Sequence, residues 1–113
     1  MSGAYAPYSD FRVGAALLTK DGRIFRGANV ENASLGLSIC AERVAATSAV
    51  VSGARAFEAL AVVCSSGVPC MPCGACRQFL AEFAPKLAII AAGEQGDPVI
   101  SSLDTLLPAP FEL

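Results

Sequence analysis

The chain has 113 residues, a formal net charge of −2, and 16% charged residues beside 54% apolar ones. Its length fits one domain spanning residues 1–113, and its apolar content excludes intrinsic disorder. The absence of a Lys and Arg cluster argues against binding to nucleic-acid phosphates, and no apolar run reaches the roughly 18 residues that cross a bilayer. A surface this poor in charge predicts apolar area that further copies of the chain cover.

The first predicted element is a β-hairpin. A short apolar strand at 13–19 is followed by a Lys-Asp-Gly turn at 20–22 and by an alternating strand at 23–26. The Ala-rich segment 40–51 contains no Gly or Pro, and Gly53 follows it, which predicts a helix that ends in a glycine cap.

The second half of the chain alternates between strand and helix patterns. An apolar run at 58–64 predicts a buried strand, the spacing at 73–83 predicts a helix that ends before Pro85, and 87–92 predicts another buried strand. This order predicts an α/β fold with a mixed sheet, and a three-layer α/β/α sandwich where helices cover both faces.

Cysteines are the first candidates for chemistry. Cys73 and Cys76 stand one turn apart behind Pro72, so both thiols lie on one face at the start of a predicted helix. Such a pair can hold a metal ion, and the free amides of a first helical turn favour the thiolates that zinc needs. Taken alone, the pair also fits a redox-active pair or two unrelated buried thiols. Cys40 supplies a third thiol at the start of the other predicted helix.

Glu42 follows Cys40 by two residues and therefore points almost the opposite way around the helix. It is poorly placed as a further ligand to the same ion, but it can reach over an open coordination position and move protons there. A carboxylate in a first helical turn is also explained by the helix dipole alone.

Two cysteines remain. Cys64 lies inside a predicted buried strand and is expected to be a core thiol, whereas Cys70 forms a second Cys-x-x-C pair with Cys73 and is the rival zinc ligand. The first residues carry no export signal, so we expect a cytoplasmic, reducing location. In that location the five cysteines are expected to be ligands or free thiols rather than disulfides.

Two segments together resemble the zinc signature of the cytidine deaminases, in the form with three cysteine ligands. They are Cys40-Ala41-Glu42-Arg43 and Pro72-Cys73-Gly74-Ala75-Cys76-Arg77-Gln78. The likeness extends to residues 4–9, 11, 13–17, 27, 29–34, 106–108 and 111, so it covers nearly the whole chain. The chain departs from the family in having three residues before Ala4, where members carry a further helix, and in having Leu35 in place of a tyrosine that helps to hold the sugar.

The resemblance implies a zinc enzyme of pyrimidine salvage that hydrolyses cytidine or deoxycytidine to uridine or deoxyuridine and ammonia. Cys40, Cys73 and Cys76 are then expected to bind one zinc ion. Glu42 is expected to take a proton from water, deliver it to N3 of the pyrimidine and later protonate the departing ammonia. Arg43 and Arg77 are expected to offset the negative charge of three thiolates.

The same resemblance implies contacts with the nucleoside. Asn29 and Glu31 are expected to bind the ribose hydroxyls, Phe11 to pack against the base, and the backbone of Ala41 to bind its polar edge. Taken singly, these side chains are also explained by a turn, a solvated charge and a core aromatic. Homotetramers are common in the family, and they imply that Ala33 and Phe111 reach the pocket of a neighbouring subunit.

Two alternatives remain open at this point. One is deamination of a related aminopyrimidine nucleoside such as blasticidin S. The other is a non-enzymatic zinc module that uses Cys40, Cys70, Cys73 and Cys76 as four ligands and binds a protein partner. Deamination of nucleic acid is disfavoured because the chain lacks a basic groove.

Overall fold

Five strands and three α-helices form the structure, a computed structural model that describes residues 1–113. The strands are β1 (Val13–Thr19), β2 (Ile24–Ala28), β3 (Phe57–Cys64), β4 (Ala88–Ala92) and β5 (Val99–Ser102). The helices are α1 (Ala41–Val51), α2 (Gly74–Ala81) and α3 (Leu103–Leu106), and a 3₁₀ turn spans Leu35–Leu37. None of these helices has the length and apolar character needed to cross a membrane.

The strands form one mixed sheet in the order β2-β1-β3-β4-β5. Only β3 and β4 are parallel, because α2 makes the crossover between them; the other neighbours are antiparallel. Leu17, Leu60 and Ile89 pair across three strands and are fully buried, so they mark the centre of the core. The predicted α/β class and mixed sheet are confirmed.

Helices α1, α2 and α3 contribute to a single core on one face of the sheet. They supply one outer layer of the predicted sandwich. The opposite face presents small and aliphatic side chains, and Ile90 and Ile100 are 36% and 75% exposed there. Met1 lies against Gly14 on this face, and none of the three α-helices covers the rest of it.

Both predicted helices begin one residue before the observed ones, and the first of them ends where predicted. Cys40 and Cys73 are the N-cap residues of α1 and α2. Gly53 has a positive φ, and the N–H of Ala54 donates to the carbonyl of Ala49, which is the glycine cap that the sequence predicts. Helix α2 ends at Ala81, earlier than predicted, because the N–H groups of Phe83 and Ala84 both turn back to the carbonyl of Leu80.

Gly27 lets α1 approach β2 at the level of the backbone. A Cβ atom at position 27 would lie 2.6 Å from the backbone nitrogen of Ala45 and would also collide with the carbonyl oxygen of Ala41. The fully buried residues of helix α1 are all alanines: Ala41, Ala45, Ala46 and Ala49. The start of α1, which carries Cys40 and Glu42, therefore rests directly on the sheet.

We predict that Gly27→Ala lowers the free energy of unfolding by about 2 kcal/mol or more, because backbone atoms of the sheet or helix must move to admit the methyl group. Urea unfolding measures the change. Gly36→Ala is the matched control, since a Cβ atom there meets nothing within 4 Å. Equal stability of the two variants would show that α1 is free to shift.

Candidate active site

Three cysteine sulfurs meet where α1 and α2 begin. The Sγ atoms of Cys40 and Cys73 are 3.7 Å apart, those of Cys73 and Cys76 are 3.5 Å apart, and all three lie within 4.8 Å of one another. In a tetrahedral site with Zn–S bonds of about 2.3 Å, the sulfurs lie about 3.8 Å apart. The three residues therefore fit one zinc ion and leave its fourth position to a further ligand.

The surroundings of the cluster favour negative charge. The N-termini of both helices point toward it, so unpaired backbone N–H groups and the positive ends of two helix dipoles face the sulfurs. Hydrogen bonding from the Cys76 thiol, with help from Arg43, lowers the pKa of Cys40 to about 5. The pKa of Cys76 is raised because its proton is held toward Cys40 and because it is buried. One thiolate thus forms readily, and a bound dication is what favours all three.

Only one of the two neighbouring arginines contacts a sulfur. Nη2 of Arg43 lies 3.6 Å from Sγ of Cys40, as the sequence predicts. The guanidinium of Arg77 instead donates to the carbonyl oxygens of Pro72 and Leu106, at 2.7 and 3.0 Å. The expectation that Arg77 offsets the thiolate charge stays a prediction, because its guanidinium bonds to these two carbonyls rather than to a sulfur.

Glu42 is buried, with 5% of its surface exposed, and it lines the same cavity as Cys40 and Cys73. Burial raises the pKa of its carboxyl group, and the nearby Cys40 thiolate raises it further. The carboxyl group is therefore a proton-binding group beside the sulfur cluster.

The cavity has a volume of about 510 Å³ and falls in the size range of small-molecule sites. It opens between the 8–13 segment, α1 and the loop before α2. Its lining residues are mainly apolar and include these members that sequence reasoning singled out: Phe11, Asn29, Glu31, Leu35, Cys40, Ala41, Glu42, Cys70 and Cys73. Other lining residues were not anticipated from the sequence, namely Tyr8, Ser9, Val13, Ser38, Ile39, Val62 and Met71.

Asn29 and Glu31 reach the cavity while also supporting its wall. The Asn29 side chain accepts a hydrogen bond from the N–H of Val13 at 2.9 Å and donates one to the carbonyl of Phe11 at 2.8 Å. The Glu31 carboxylate accepts hydrogen bonds from the N–H groups of Tyr8 and Ser9 and from the Ser9 hydroxyl. Both residues thus fix the segment that carries Phe11.

Ala33 and Phe111 do not line this cavity. Ala33 is exposed, and the Phe111 ring is 71% exposed. The backbone of Phe111 is held on α2 by two hydrogen bonds with the Gln78 side chain, both of 3.0 Å. Phe111 is therefore not buried in the core of its own chain.

Cys64 and Cys70 form a disulfide. The prediction that Cys64 is a free core thiol is wrong, as is the wider expectation that all five cysteines are free thiols or ligands. The reason is that the loop after β3 folds back and brings Cys70 against the buried end of that strand. This pairing leaves Cys40, Cys73 and Cys76 as the free cysteines, so the arrangement with four zinc ligands is not formed.

Comparison with known families agrees with this arrangement. The family model described as "Cytidine and deoxycytidylate deaminase zinc-binding region" matches residues 1–92, which include all three free cysteines and Glu42. The chain belongs to this deaminase family. Its zinc-binding region is the part that contains the cavity and the sulfur cluster.

Relatives with this deaminase fold are similar along nearly the whole chain. The cytidine deaminase of Halalkalibacterium halodurans is 52% identical over 110 residues, which are 96% of this chain and 83% of that protein. The cytidine deaminase of Sporosarcina psychrophila is 47% identical over 96% of this chain and 80% of its own. The crystal structure of cytidine deaminase from Burkholderia pseudomallei superposes with a TM-score of 0.93 at 51% identity, covering 97% of this chain and 89% of that one. The predicted fold and family are confirmed.

We predict one tightly bound zinc ion per chain. Substituting Ala for Cys40, Cys73 or Cys76 should remove the metal, because each supplies one of only three sulfurs. Cys64→Ala and Cys70→Ala are the controls, and both should keep it. Metal analysis that finds zinc lost in Cys70→Ala and kept in Cys76→Ala would contradict this ligand set.

Proposed function

We propose that residues 1–113 form one catalytic domain that deaminates cytidine and deoxycytidine, with water as the second reactant and ammonia as a product. The observation that carries the proposal is that a buried carboxyl group and a three-sulfur cluster, through Cys40 and Cys73, border one nucleoside-sized cavity. A redox pair or a structural metal site has no use for Glu42 in that position, whereas hydrolysis of an aromatic amine needs a group that moves protons.

In this proposal Cys40, Cys73 and Cys76 hold the zinc ion. The ion supplies Lewis acidity that makes a water molecule a nucleophile near neutral pH. Glu42 takes the proton from that water and delivers it to N3 of the pyrimidine as the water oxygen bonds to C4. It then takes the proton of the new C4 hydroxyl group and gives it to the leaving amino group, so that ammonia departs and the carbonyl of uridine forms.

Residues of the cavity wall orient the nucleoside in the same proposal. Phe11 packs against the base and the backbone of Ala41 binds its polar edge. Asn29 and Glu31 bind ribose hydroxyls through the side-chain donors and acceptors that their hydrogen bonds to the cavity wall do not use. The relatives described above are cytidine deaminases, which favours cytidine over blasticidin S as the substrate.

Ammonia release from cytidine, deoxycytidine, cytosine and blasticidin S tests the proposal. We expect release from the first two. We also expect Glu42→Gln to lower turnover by at least about 10², with zinc content and nucleoside binding retained, because it removes proton transfer and keeps the size of the side chain.

The control is Glu58→Gln, the same change at an exposed position of β3, which should leave turnover unaltered. Release from blasticidin S alone would assign the enzyme to the antibiotic nucleosides. Normal turnover in Glu42→Gln would exclude Glu42 as the proton carrier.

We also propose that the enzyme acts as a homotetramer. The open sheet face and the exposed apolar residues at the rim of the cavity, Leu35 and Ile39, are surfaces that further copies can cover. Phe111 has a fixed backbone and a free ring, which suits a residue that reaches the pocket of another subunit. Ala33 is proposed to approach the sugar in the same way. The cytoplasmic location stays a prediction.

Subunit mixing tests this sharing. Phe111→Ala and Glu42→Gln should each be weakly active, and reassembled mixtures should regain activity, because some pockets then receive an intact Glu42 and an intact Phe111 from different chains. Light scattering gives the mass of the assembly, and the unmixed variants are the controls. A fully active monomer, or mixtures no more active than their parents after confirmed subunit exchange, would contradict the proposal.

A further inference from the structure

Helix α2 carries Cys76 on one side and the polar side chain of Arg77 on another. Cys76 is buried in the sulfur cluster, and the next residue, Arg77, turns away from the cluster and is half-buried beside α3. Its side chain makes no contact with a sulfur and donates two hydrogen bonds to backbone carbonyls of separate segments. A guanidinium that joins two segments in this way fixes their relative position.

Arg77 holds both peptide groups that flank Cys73. Nε of its guanidinium donates to the carbonyl oxygen of Pro72 at 2.7 Å, which fixes the peptide plane before Cys73. Its backbone N–H donates to the carbonyl oxygen of Cys73 at 2.9 Å, which fixes the plane after it. With both peptide planes fixed, the backbone dihedral angles of Cys73 are set, and so is the direction of its Cα–Cβ bond.

The other end of the guanidinium rests on a fixed support. Nη1 donates at 3.0 Å to the carbonyl oxygen of Leu106, the last residue of α3. That carbonyl has no acceptor role inside the helix, so it is free to accept this hydrogen bond. Leu103 anchors α3, because it is fully buried in the core. Cys73 is an exposed residue, so its side chain is held by its backbone and by the two neighbouring sulfurs.

We propose that Arg77 is a positioning residue for the zinc ligand Cys73, acting through the Pro72 carbonyl. The proposal rests on the zinc site described above. The hydrogen-bond geometry of the Arg77 guanidinium, rather than its charge, positions the ligand. Groups that orient metal ligands typically change metal affinity by 10- to 100-fold when they are lost. Arg43 has the separate role of contacting a sulfur.

The test compares geometry with charge at one position. Arg77→Lys keeps the charge but cannot bond to both carbonyls. Replacement of Arg77 by citrulline removes the charge but keeps an Nε–H and a terminal NH₂ group; ligation of a synthetic 76–113 peptide at Cys76 gives this full-length chain. Zinc release to a chromogenic chelator and the absorption spectrum of the cobalt-substituted protein are measured for both, without any substrate.

We expect zinc release to become about tenfold faster in Arg77→Lys, with a changed cobalt spectrum, and to stay within about twofold of the parent in the citrulline chain. Gln78→Ala is the matched control, because Gln78 binds only Phe111 and does not touch Pro72. It should release zinc at the parental rate. If Arg77→Lys does not fold, parental release by the citrulline chain supports the proposal and tenfold faster release overturns it.

Parental zinc release and cobalt spectrum in Arg77→Lys would overturn the proposal, even if the variant were less stable in urea. Faster release in the citrulline chain with parental release in Arg77→Lys would overturn it in favour of a role for charge. A parent chain that binds zinc but deaminates no nucleoside would count against the proposed function alone.

Discussion

Helix α1 lies close to the sheet, because Gly27 has no side chain and the fully buried residues of the helix are all alanines. Large side chains on either surface would hold the two about 10 Å apart, as in ordinary helix packing. The closer approach sets the height of the first turn of α1 above β1 and β2. Asn29 and Glu31 follow β2 directly, so the same contact places the wall of the cavity against the residues at its base. The base and the wall of the cavity are therefore both positioned by the sheet.

The sulfur cluster is an electrostatic compromise. Two helix N-termini and Arg43 attract negative charge to it, while the buried carboxyl group of Glu42 opposes further ionisation. Neither influence alone gives a useful zinc site. With too little attraction for negative charge the cysteines stay protonated, and with too much the Glu42 carboxyl group no longer takes up a proton. Placing Cys40 and Glu42 two residues apart on one helix start brings both influences to one point.

The sequence was most informative where chemistry depends on local spacing. Cys73 and Cys76 are one turn apart in any helix, and Gly53 ends α1 through a local cap, so both features follow from nearby residues. The Cys64 pairing and the partners of Arg77 depend instead on how loops return to the sheet, which spacing does not encode. Strand β5 was missed for a related reason, since Val99–Ser102 is short and half polar and pairs only because β4 presents an open edge. Glu31 shows the same limit, because its bonds to Tyr8 and Ser9 cross 22 to 23 residues.

The two N-cap cysteines also set an order of events during folding. Cys73 and Cys76 come together as soon as α2 forms, but Cys40 is 33 residues away from Cys73 and joins them only when α1 and α2 pack together. Packing of α1 against α2 joins residues far apart in sequence, and contacts of this kind are generally the slow part of folding. A refolding chain therefore offers zinc two sulfurs early and the third late. The number of sulfurs bound to the metal thus reports how far assembly of the sheet and its two helices has progressed. The charge-transfer bands of cobalt(II) follow that number during refolding.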